Sequence, residues 1–600
     1  MPHDHLVRMM RRRIVETPDA VAMRHRTSGS WQPITYAALG THVDAVASSL
    51  IDGGVAPGDR VAIFAPNSPW WTIADLAILT ARAIPVPVYA TSPAAAAAHI
   101  LRDAGVRVVF AGGAEPYAAL AGVRESCGLA RVVVFDADVA LANAGDCHLS
   151  VLLAHPIAPG LDERLAGLSA EDVATIVYTS GTTGEPKGVV LTHANLLTQF
   201  RALDAHFRVG PGDRSLSFLP LSHAYERTWT WYVLLKGAEN YYLDDPKRVG
   251  EAMQEVRPTC MVSVPRLYEK VHATVRHRVA QGSAVQKRLF AWALDVGGRF
   301  HDARARGRRV GPTLRLQHAV ADRLVLHRIR DAVGGPKNVF SAGGASLSPE
   351  IERFFFAAGL LVCQGYGLTE TSPMLTCNRP GDFRFGTVGK PIPGCEIRIA
   401  PDGEILARGP NVMRGYFGKP RETAEAFDGE WLRTGDIGEL DDEGFLRITD
   451  RKKDLIVTSG GKNVAPSLIE SVIGQDYYVE QVAAIGDGRR FLSALVVPQF
   501  EALQQWAGER GMVHGSLLAM VRDARVMAFM AARIAELQAG LPDYERVKRF
   551  TLLPERFSQS GGEITPTLKN VRRAIAAKYA DVIEAMYTAD PSAGVGRVGP

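Results

Sequence analysis

Residues 178–188 read YTSGTTGEPKG and contain the residue types that hold phosphate. Four serine and threonine hydroxyls, three glycines and Lys187 lie within these eleven positions. Glycines let consecutive backbone N–H groups turn toward one anion, and the hydroxyls and the lysine add donors and positive charge. A strand that ends in such a loop is a common phosphate cradle. We therefore predict a phosphate-binding loop, with an ordinary Gly/Ser/Thr surface loop as the alternative.

Two other nucleotide motifs are excluded by their context. The ATPase P-loop requires G-x-x-x-x-G-K-[ST], whereas Lys187 is followed by Gly188. Residues 594–599 read GVGRVG and match G-x-G-x-x-G, but only Pro600 follows, so that no helix can begin there. We predict that this segment is a flexible tail.

Three further segments carry side chains suited to a nucleotide. FSAGGASLS at 340–348 is a predicted strand that runs into a turn of small residues, where a flat ring can approach closely. CQGYGLTETSP at 363–373 offers Tyr366 for stacking on a base and Glu370 for binding a metal. WLRTGDIGEL at 431–440 carries Asp436, and a single carboxylate there suits paired ribose hydroxyls.

The elements that must position these segments alternate along the chain. Short β-branched runs, such as RVAIFAP at 60–66 and VATIVYT at 173–179, are separated by alanine- and leucine-rich helical patterns. This alternation predicts α/β layers with largely parallel sheets. Past Asp436 the pattern changes to short strands and turns, which places a domain boundary near residues 450–453.

Composition limits the class of protein. A chain of 600 residues is too long for one hydrophobic core, and 46% hydrophobic with 22% charged residues is typical of globular proteins. A formal net charge of +4 argues against a dedicated nucleic-acid binder. The six cysteines form no C-x-x-C pair, which favours a reducing cytosol, and we expect neither a signal peptide nor a spanning helix.

The stretch HDARARGRRVGPTLRLQHAVADRLVLHRIR at 301–330 is strongly basic. A solvated pair of helices is one interpretation of this pattern. The other is a patch that rests on anionic lipid, which would make the protein a peripheral membrane protein.

The order of the motifs resembles that of the acyl-adenylate-forming (AMP-binding) superfamily. The resemblance also includes DRKKDLIVTSGGKNVAP at 450–466 and GEITPTLKNVRR at 562–573. Within that superfamily, FLPLSHAYERT at 218–228 and RFGTVGKPIPG at 384–394 are similar to the bacterial long-chain fatty acyl-CoA synthetases.

The resemblance implies an α/β fold in two parts. Residues 1–450 would form a large AMP-binding domain of layered α/β sheets with a small β-barrel-like portion. Residues 451–600 would form a smaller, mobile α+β domain with its hinge near Lys453. The active site would lie in the cleft between them.

The resemblance also implies roles for individual residues. Lys569 would bridge the carboxylate and the α-phosphate, His223 would lie beside the acyl carboxylate, and Thr179 and Glu370 would bind Mg²⁺. For His223 a purely structural role is the alternative. The residues implied for ATP and AMP binding are Thr179, Ser180, Gly181, Thr182, Thr183, Gly184, Lys187, Gly343, Gly344, Ala345, Gln364, Gly365, Tyr366, Gly367, Thr369, Asp436, Arg451 and Lys453.

Two positions depart from the family pattern. Some members carry a gating tryptophan four residues after the histidine, where this chain has Arg227. Many carry a second lysine four residues after the hinge lysine, where this chain has Val457. The chain-length preference and the residues that contact coenzyme A are therefore open; Gly460, Gly461 and Lys462 are candidates for the latter.

The resemblance implies a long-chain fatty acid–CoA ligase that uses ATP, coenzyme A and Mg²⁺ and binds no nucleic acid. Two alternatives remain, namely an acyl-AMP ligase that loads carrier proteins and a catalytically silent lipid or nucleotide sensor on the same fold. We expect a cytoplasmic protein, and the sequence leaves its oligomeric state open.

Overall fold

The structure is a computed structural model, and it describes residues 5–27, 29–179, 185–452, 454–565, 569–588 and 594–598. The predicted mixed α/β architecture is confirmed: a large N-terminal part built on four sheets precedes a smaller C-terminal α+β part. Within the described ranges, every helix is too short or too polar to span a lipid bilayer.

The largest sheet has nine strands, of which the six central ones run parallel and the outer ones antiparallel. In spatial order its strands are Lys390–Pro391, Met374–Cys377, Cys363–Gly367, Val339–Ala342, Cys260–Ser263, Arg214–Ser217, Glu239–Tyr242, Val21–Thr27 and Ser30–Thr35. A second sheet is wholly parallel and consists of Ile84–Tyr89, Arg60–Ala65, Val108–Ala111, Arg131–Val134 and Cys147–His148.

Two antiparallel sheets complete the N-terminal part. One has three strands, Gly415–Tyr416, Lys187–Thr192 and Val173–Thr179. The portion predicted as barrel-like is a five-stranded sheet of Glu396–Ile399, Glu404–Arg408, Trp431–Leu440, Phe427–Asp428 and Leu446–Arg451.

Helices cover these sheets, as parallel strands require, because each crossover returns the chain along a sheet face. The helices of the N-terminal part are Leu6–Glu16, Tyr36–Asp52, Pro69–Thr80, Ala94–Asp103, Ala114–Ala121, Arg124–Cys127, Leu149–Leu153, Leu161–Ala166, His193–His206, Ala224–Leu235, Val249–Val256, Pro265–Ala280, Ala284–Ala305, Pro312–Ala321, His327–Ala332, Pro349–Ala357 and Pro420–Glu425. A π-helical turn, Asp322–Leu326, joins Pro312–Ala321 to His327–Ala332.

The C-terminal part has its own hydrophobic core, formed by buried residues between Ile456 and Val598. Its strands form a hairpin, Ile456–Val457 and Asn463–Val464, and a sheet of Val479–Ile485, Leu492–Pro498, Val547–Leu552 and Val595–Arg597. Its helices are Pro466–Gly474, Phe500–Gly508, Leu517–Arg522, Ala524–Leu537, Arg572–Lys578 and Ala580–Tyr587.

The prediction of a flexible tail near residue 594 is wrong. Val595–Arg597 forms an antiparallel edge strand, with Phe550 opposite Gly596. A Cβ at residue 596 would lie 2.3 Å from the Phe550 ring, so only glycine lets the strand approach this closely. The G-x-G pattern thus serves strand packing and not a dinucleotide.

Candidate active site

The carboxylate of Asp436 is held by two side chains from different strands. The Tyr366 hydroxyl donates to Oδ2 at 2.7 Å, and Arg451 Nε donates to Oδ1 at 2.8 Å. Arg451 stands opposite Asp436 in the antiparallel ladder, whereas Tyr366 comes from the nine-stranded sheet. Each carboxylate oxygen can still accept another hydrogen bond. The arrangement therefore presents a carboxylate of fixed orientation at the junction of two sheets.

The pKa values of both donors to Asp436 are shifted upward, toward the protonated forms that donate. Burial alone would lower the pKa of Arg451, but its pairing with Asp436 outweighs burial and raises the pKa. Burial and the neighbouring Asp436 raise the pKa of Tyr366, which therefore keeps its proton and remains a donor. The result is an oriented acceptor for paired hydroxyl donors.

A second cluster surrounds Glu370. The Tyr416 hydroxyl donates to Glu370 Oε1 at 3.0 Å, and the Lys187 Nζ lies 4.1 Å from the centroid of the Tyr416 ring. Lys187 pairs with Thr179 across the two strands that border the phosphate loop. Sequence reasoning missed Tyr416, because its neighbourhood depends on the pairing of Gly415–Tyr416 with the strand Lys187–Thr192.

The donors around Glu370 fit a magnesium ion. Mg²⁺ in nucleotide enzymes is bound through one or two carboxylates and the substrate phosphates, with water completing the octahedron. Glu370 supplies one carboxylate, and its Oε2 has no hydrogen-bond partner among the described residues. Thr179 supplies a hydroxyl at the end of its strand, where it pairs with Lys187. Within the described ranges, no cluster of three or more His, Cys, Asp or Glu is placed so that it could hold a metal ion.

The predicted adenine turn follows the strand Val339–Ala342. Gly343 packs under Tyr225, since a Cβ added at residue 343 would lie 3.1 Å from that ring, and Gly344 has φ +83°. Gln364 is buried, and its amide both accepts from the Leu347 N–H at 2.8 Å and donates to the Leu347 carbonyl at 3.2 Å. Gln364 therefore holds the turn from behind, while Gly344 and Ala345 are exposed.

The strand Cys363–Gly367 and the 3-10 turn Thr369–Thr371 place the remaining predicted residues. A Cβ on Gly367 would lie 1.7 Å from the Pro373 carbonyl oxygen, so only glycine allows the chain to turn back here. Thr369 and Glu370 begin the 3-10 turn, and Gly365 lies in the strand beside Tyr366. These residues thus lie on one strand of the nine-stranded sheet and in the turn that follows it.

His223 lies at the start of the helix Ala224–Leu235. Its Nδ1 accepts from the Tyr225 N–H at 3.1 Å, so the neutral ring carries its proton on Nε2. Burial, with a contribution from the Lys569 ammonium, lowers the pKa of His223 to about 4. At neutral pH the ring therefore offers an N–H donor and no positive charge.

Lys569 comes from the C-terminal part and reaches the same place. The residue is exposed, yet protein atoms crowd its ammonium and lower the pKa of Lys569 to about 8; Arg451 adds to this shift, and Asp436 and Asp454 oppose it. A side chain on the wall of a cleft has both properties. The structure therefore places Lys569 within electrostatic range of His223 and of the Asp436–Arg451 pair.

Direct contacts join the two parts of the chain. Both Arg266 Nη atoms donate to C-terminal carbonyls, at 2.7 Å to Gly474 and 2.6 Å to Glu480. The rings of His277 and Tyr477 stack with centroids 3.9 Å apart. Arg266 and His277 both belong to the helix Pro265–Ala280, which therefore forms part of the contact surface for the C-terminal part.

The position of the family's gating tryptophan holds a buried ion pair. Arg227 Nε donates to Asp75 Oδ2 at 3.0 Å, and a second bond joins Arg227 Nη2 to Asp75 Oδ1. The guanidinium lies against the rings of Trp71 and Trp231. Both charged residues are buried, as are Trp229 and Trp231. Arg227 is thus part of the core.

Some predicted site residues lie outside the described residues, namely Ser180, Gly181, Thr182, Thr183, Gly184 and Lys453. The coenzyme A candidates lie in the turn between Ile456–Val457 and Asn463–Val464, where Gly461 has φ +71° and the Lys462 Nζ lies 5.6 Å from the Tyr544 ring centroid.

Comparison with protein families gives two matches that together span most of the chain. Residues 10–417 match the AMP-binding enzyme model, and residues 453–591 match the AMP-binding enzyme C-terminal domain.

Curated relatives are similar over nearly the whole chain. A long-chain-fatty-acid–CoA ligase of Mycobacterium bovis is 36% identical over 98% of this chain and 97% of its own length. A peroxisomal long chain acyl-CoA synthetase of Arabidopsis thaliana is 33% identical, over 95% and 84% respectively. Long-chain-fatty-acid–CoA ligase 1 of Homo sapiens is 31% identical, over 92% and 82%.

Solved structures share the fold. The adenylation domain of a carboxylate reductase from Mycobacterium chelonae superposes with a TM-score of 0.76 at 21% identity, covering 98% of this chain and 92% of that one. An anthranilate CoA ligase in complex with anthranoyl-AMP superposes with a TM-score of 0.72 at 18% identity, covering 98% and 99%. At these identities the likeness concerns the fold alone.

Proposed function

The chain belongs to the AMP-binding enzyme family, and from this premise we propose that it is a long-chain fatty acid–CoA ligase. The enzyme joins a fatty acid to AMP with release of pyrophosphate and then transfers the acyl group to coenzyme A. The observation that carries the proposal is that Lys569, from the C-terminal part, lies within electrostatic range both of His223 and of the oriented Asp436–Arg451 pair. The curated relatives named as long-chain ligases support the substrate class.

The chemistry needs no nucleophile from the enzyme. A fatty-acid carboxylate oxygen attacks the α-phosphorus of ATP, and the bond to pyrophosphate breaks. The thiolate of coenzyme A then attacks the acyl carbon of the mixed anhydride, and the bond to AMP breaks. The protein's share is to hold the reactants in line and to stabilise negative charge that develops during attack.

We assign the nucleotide-binding roles from the clusters around Asp436 and Glu370. Asp436 accepts hydrogen bonds from both ribose hydroxyls while Tyr366 and Arg451 hold its orientation. The segment from Thr179 to Lys187 holds the β- and γ-phosphates, with Thr369 near the α-phosphate. The adenine lies in the frame formed by Gly343, Gly344, Ala345, Gln364, Gly365, Tyr366 and Gly367.

Glu370 and Thr179 are the proposed protein ligands of Mg²⁺, which neutralises charge on the triphosphate and improves pyrophosphate as a leaving group. The hydroxyl of Tyr416 orients Glu370 through Oε1. The ring of Tyr416 supports Lys187, whose ammonium is thereby held beside the phosphate loop.

Lys569 and His223 are the proposed catalytic residues. The neutral His223 ring donates a hydrogen bond from Nε2–H to a carboxylate oxygen and thus positions the fatty acid. The Lys569 ammonium bridges that carboxylate and the α-phosphate, where charge grows on the non-bridging oxygens. A half-buried neutral histidine beside a cation suits this task, because it adds no positive charge that would repel Lys569.

We also propose a division of the chain at residues 450 and 451, with Lys453 as the hinge between the half-reactions. The separate hydrophobic core that begins at Ile456 supports this division. After adenylation the C-terminal part would rotate, removing Lys569 and bringing the turn at Gly460, Gly461 and Lys462 toward coenzyme A. A cytoplasmic location, peripheral on the inner face of the membrane, belongs to the same proposal.

The test is AMP release measured with ATP, Mg²⁺, coenzyme A and fatty acids of increasing chain length. We expect release to depend on the fatty acid and on Mg²⁺, and acyl-CoA to form in equal amount. Acyl-AMP without acyl-CoA would assign the protein to the carrier-loading ligases. No turnover with any acid, together with tight ATP binding, would assign it to the silent sensors.

A further inference from the structure

The basic stretch forms a helical hairpin with an unusual outer face. The helices Ala284–Ala305 and Pro312–Ala321 pack against each other, and the π-helical turn Asp322–Leu326 continues the second arm. Leu316, Val320 and Leu324 recur every four residues, and the side of the helix that they share faces solvent. Their exposed fractions are 69%, 44% and 44%, in a chain where most leucines and valines are buried.

Arginines surround this apolar stripe. Arg315 and Arg323 each precede one of its leucines, and Arg308 and Arg309 lie in the loop before the helix. All four are exposed, and none has an ion-pair partner among the described residues. By contrast, Arg306 pairs with Asp302 and Arg330 with Asp322. The four arginines therefore present uncompensated charge.

The charge of this stretch differs from that of the rest of the chain. Residues 301–330 contain eight arginines, two aspartates and neither lysine nor glutamate. Their net charge is thus greater than the +4 of the whole protein, so the remainder is slightly acidic. An exposed apolar stripe flanked by arginines is the composition of helices that lie in the interface of anionic membranes.

We propose that the stripe Leu316–Val320–Leu324, with Arg308, Arg309, Arg315 and Arg323, docks the protein onto an anionic lipid surface. The apolar side chains enter the headgroup boundary, and the guanidinium groups bind lipid phosphates. The docking deepens the proposed function, on which it rests for its purpose, because a long-chain fatty acid partitions into membranes. It concerns a surface that none of the proposed catalytic groups uses.

The test is flotation with two kinds of vesicle, phosphatidylcholine alone and phosphatidylcholine with one-third phosphatidylglycerol. We expect the parent protein to bind only the anionic vesicles at about 0.1 M salt and to be released near 1 M, where the screening length falls from about 10 Å to about 3 Å. The variant Arg308→Gln, Arg309→Gln, Arg315→Gln and Arg323→Gln should bind anionic vesicles at least about tenfold more weakly, because each basic group near an anionic surface adds attraction.

The apolar stripe has its own variant, Leu316→Ser with Val320→Ser and Leu324→Ser, which should weaken anionic binding about tenfold with little change in salt dependence. The apolar controls are Val151→Ser, Ile157→Ser and Val513→Ser, whose parent side chains are 59%, 58% and 95% exposed. The charge controls are Arg421→Gln, Arg447→Gln, Arg510→Gln and Arg525→Gln, which remove the same number of exposed arginines, each with an acidic partner. The control variants should bind as the parent does.

Four results would overturn the proposal: equal binding to both vesicles at all salt concentrations, loss of binding in the controls to the same degree, self-association through the stripe without vesicle binding, or binding of duplex DNA through these arginines in place of vesicles. Ligase activity with detergent-dispersed fatty acid is measured in parallel and should be the same in all variants. A parent without ligase activity that still binds vesicles as expected would contradict the proposed function and leave the docking surface standing.

Discussion

The Tyr416 hydroxyl donates to Glu370 Oε1 at 3.0 Å, so a residue of the short strand Gly415–Tyr416 sets the orientation of the proposed magnesium ligand. The same ring supports Lys187. One tyrosine thereby connects the proposed magnesium ligand and the lysine proposed to bind the triphosphate.

Tyr416→Phe should weaken the response to Mg²⁺ while leaving the Lys187 contact, because it removes the hydroxyl and keeps the ring. We expect the Mg²⁺ concentration for half-maximal pyrophosphate exchange to rise several-fold, consistent with one lost hydrogen bond to a charged group of roughly 1.5–3 kcal/mol. Tyr232→Phe is a matched control, since its hydroxyl donates to the Asp204 carboxylate at the same 3.0 Å away from the site. An equal shift in both variants would remove Tyr416 from the metal site.

Glu370→Ala should impair adenylation severely, because it removes the carboxylate that we propose as a ligand of Mg²⁺. We expect fatty-acid-dependent pyrophosphate exchange to fall by about 10²–10³-fold. Near-normal exchange in a folded variant would mean that another group binds the metal.

Lys569→Ala should separate the two half-reactions, because in the proposed mechanism the ammonium serves only the attack on the α-phosphate. Formation of acyl-AMP from ATP and fatty acid should be lost. With synthetic acyl-AMP and coenzyme A, thioester should form at close to the parent rate. Lys453→Pro, which restricts the hinge backbone, should preserve adenylation and abolish thioester formation. Equal loss of both steps in Lys569→Ala would argue against alternation of the C-terminal part.

The pH dependence of adenylation should report Lys569. Burial lowers the pKa of this ammonium to about 8, and the protonated form is present below that value. The kcat/KM for adenylation should therefore fall as pH rises through about 8, since kcat/KM reports groups of the free enzyme. Lys569→Arg, whose guanidinium stays charged, should shift this descent to higher pH even at reduced activity. An unchanged descent would assign the titration to another group.

Arg227→Met should destabilise the N-terminal part, because it leaves Asp75 buried without its partner. Burial raises the pKa of Asp75 and Arg227 lowers it, with burial prevailing, so the pair is held together at a cost in desolvation. Breaking such a pair costs about 3–5 kcal/mol. The melting temperature should fall clearly, and adding Asp75→Leu should restore much of it. Arg421→Met, which breaks an exposed pair with Glu425, should change it little.

Sequence patterns predicted much of the fold, for reasons that are local. The strands predicted at 60–66 and 173–179 coincide with Arg60–Ala65 and Val173–Thr179. Both follow from short runs of apolar and β-branched side chains within a few residues. The two family matches confirm the resemblance to AMP-binding enzymes. It can be recognised from the sequence because its motifs are short and ordered along the chain.

Other features were beyond sequence reasoning, because they depend on residues far apart in the chain. Arg227 was recognised as a departure from a gating tryptophan, but only packing shows that it pairs with Asp75 between two tryptophan rings. The sequence predicts a flexible segment at Val595–Arg597, because the residues next to it do not indicate its pairing with the distant strand Val547–Leu552.

The sequence by itself determined which chemical groups this protein has and in what order: a hydroxyl- and glycine-rich loop, Glu370, Asp436 and a C-terminal lysine, each marked by its immediate neighbours. Only the tertiary structure decided which of them meet. Lys569 comes within electrostatic range of His223 and the Asp436–Arg451 pair in an arrangement where Arg266 and His277 of the helix Pro265–Ala280 contact the C-terminal part. Such long-range contacts arise from the shape and burial of whole layers, and no stretch of sequence encodes them alone.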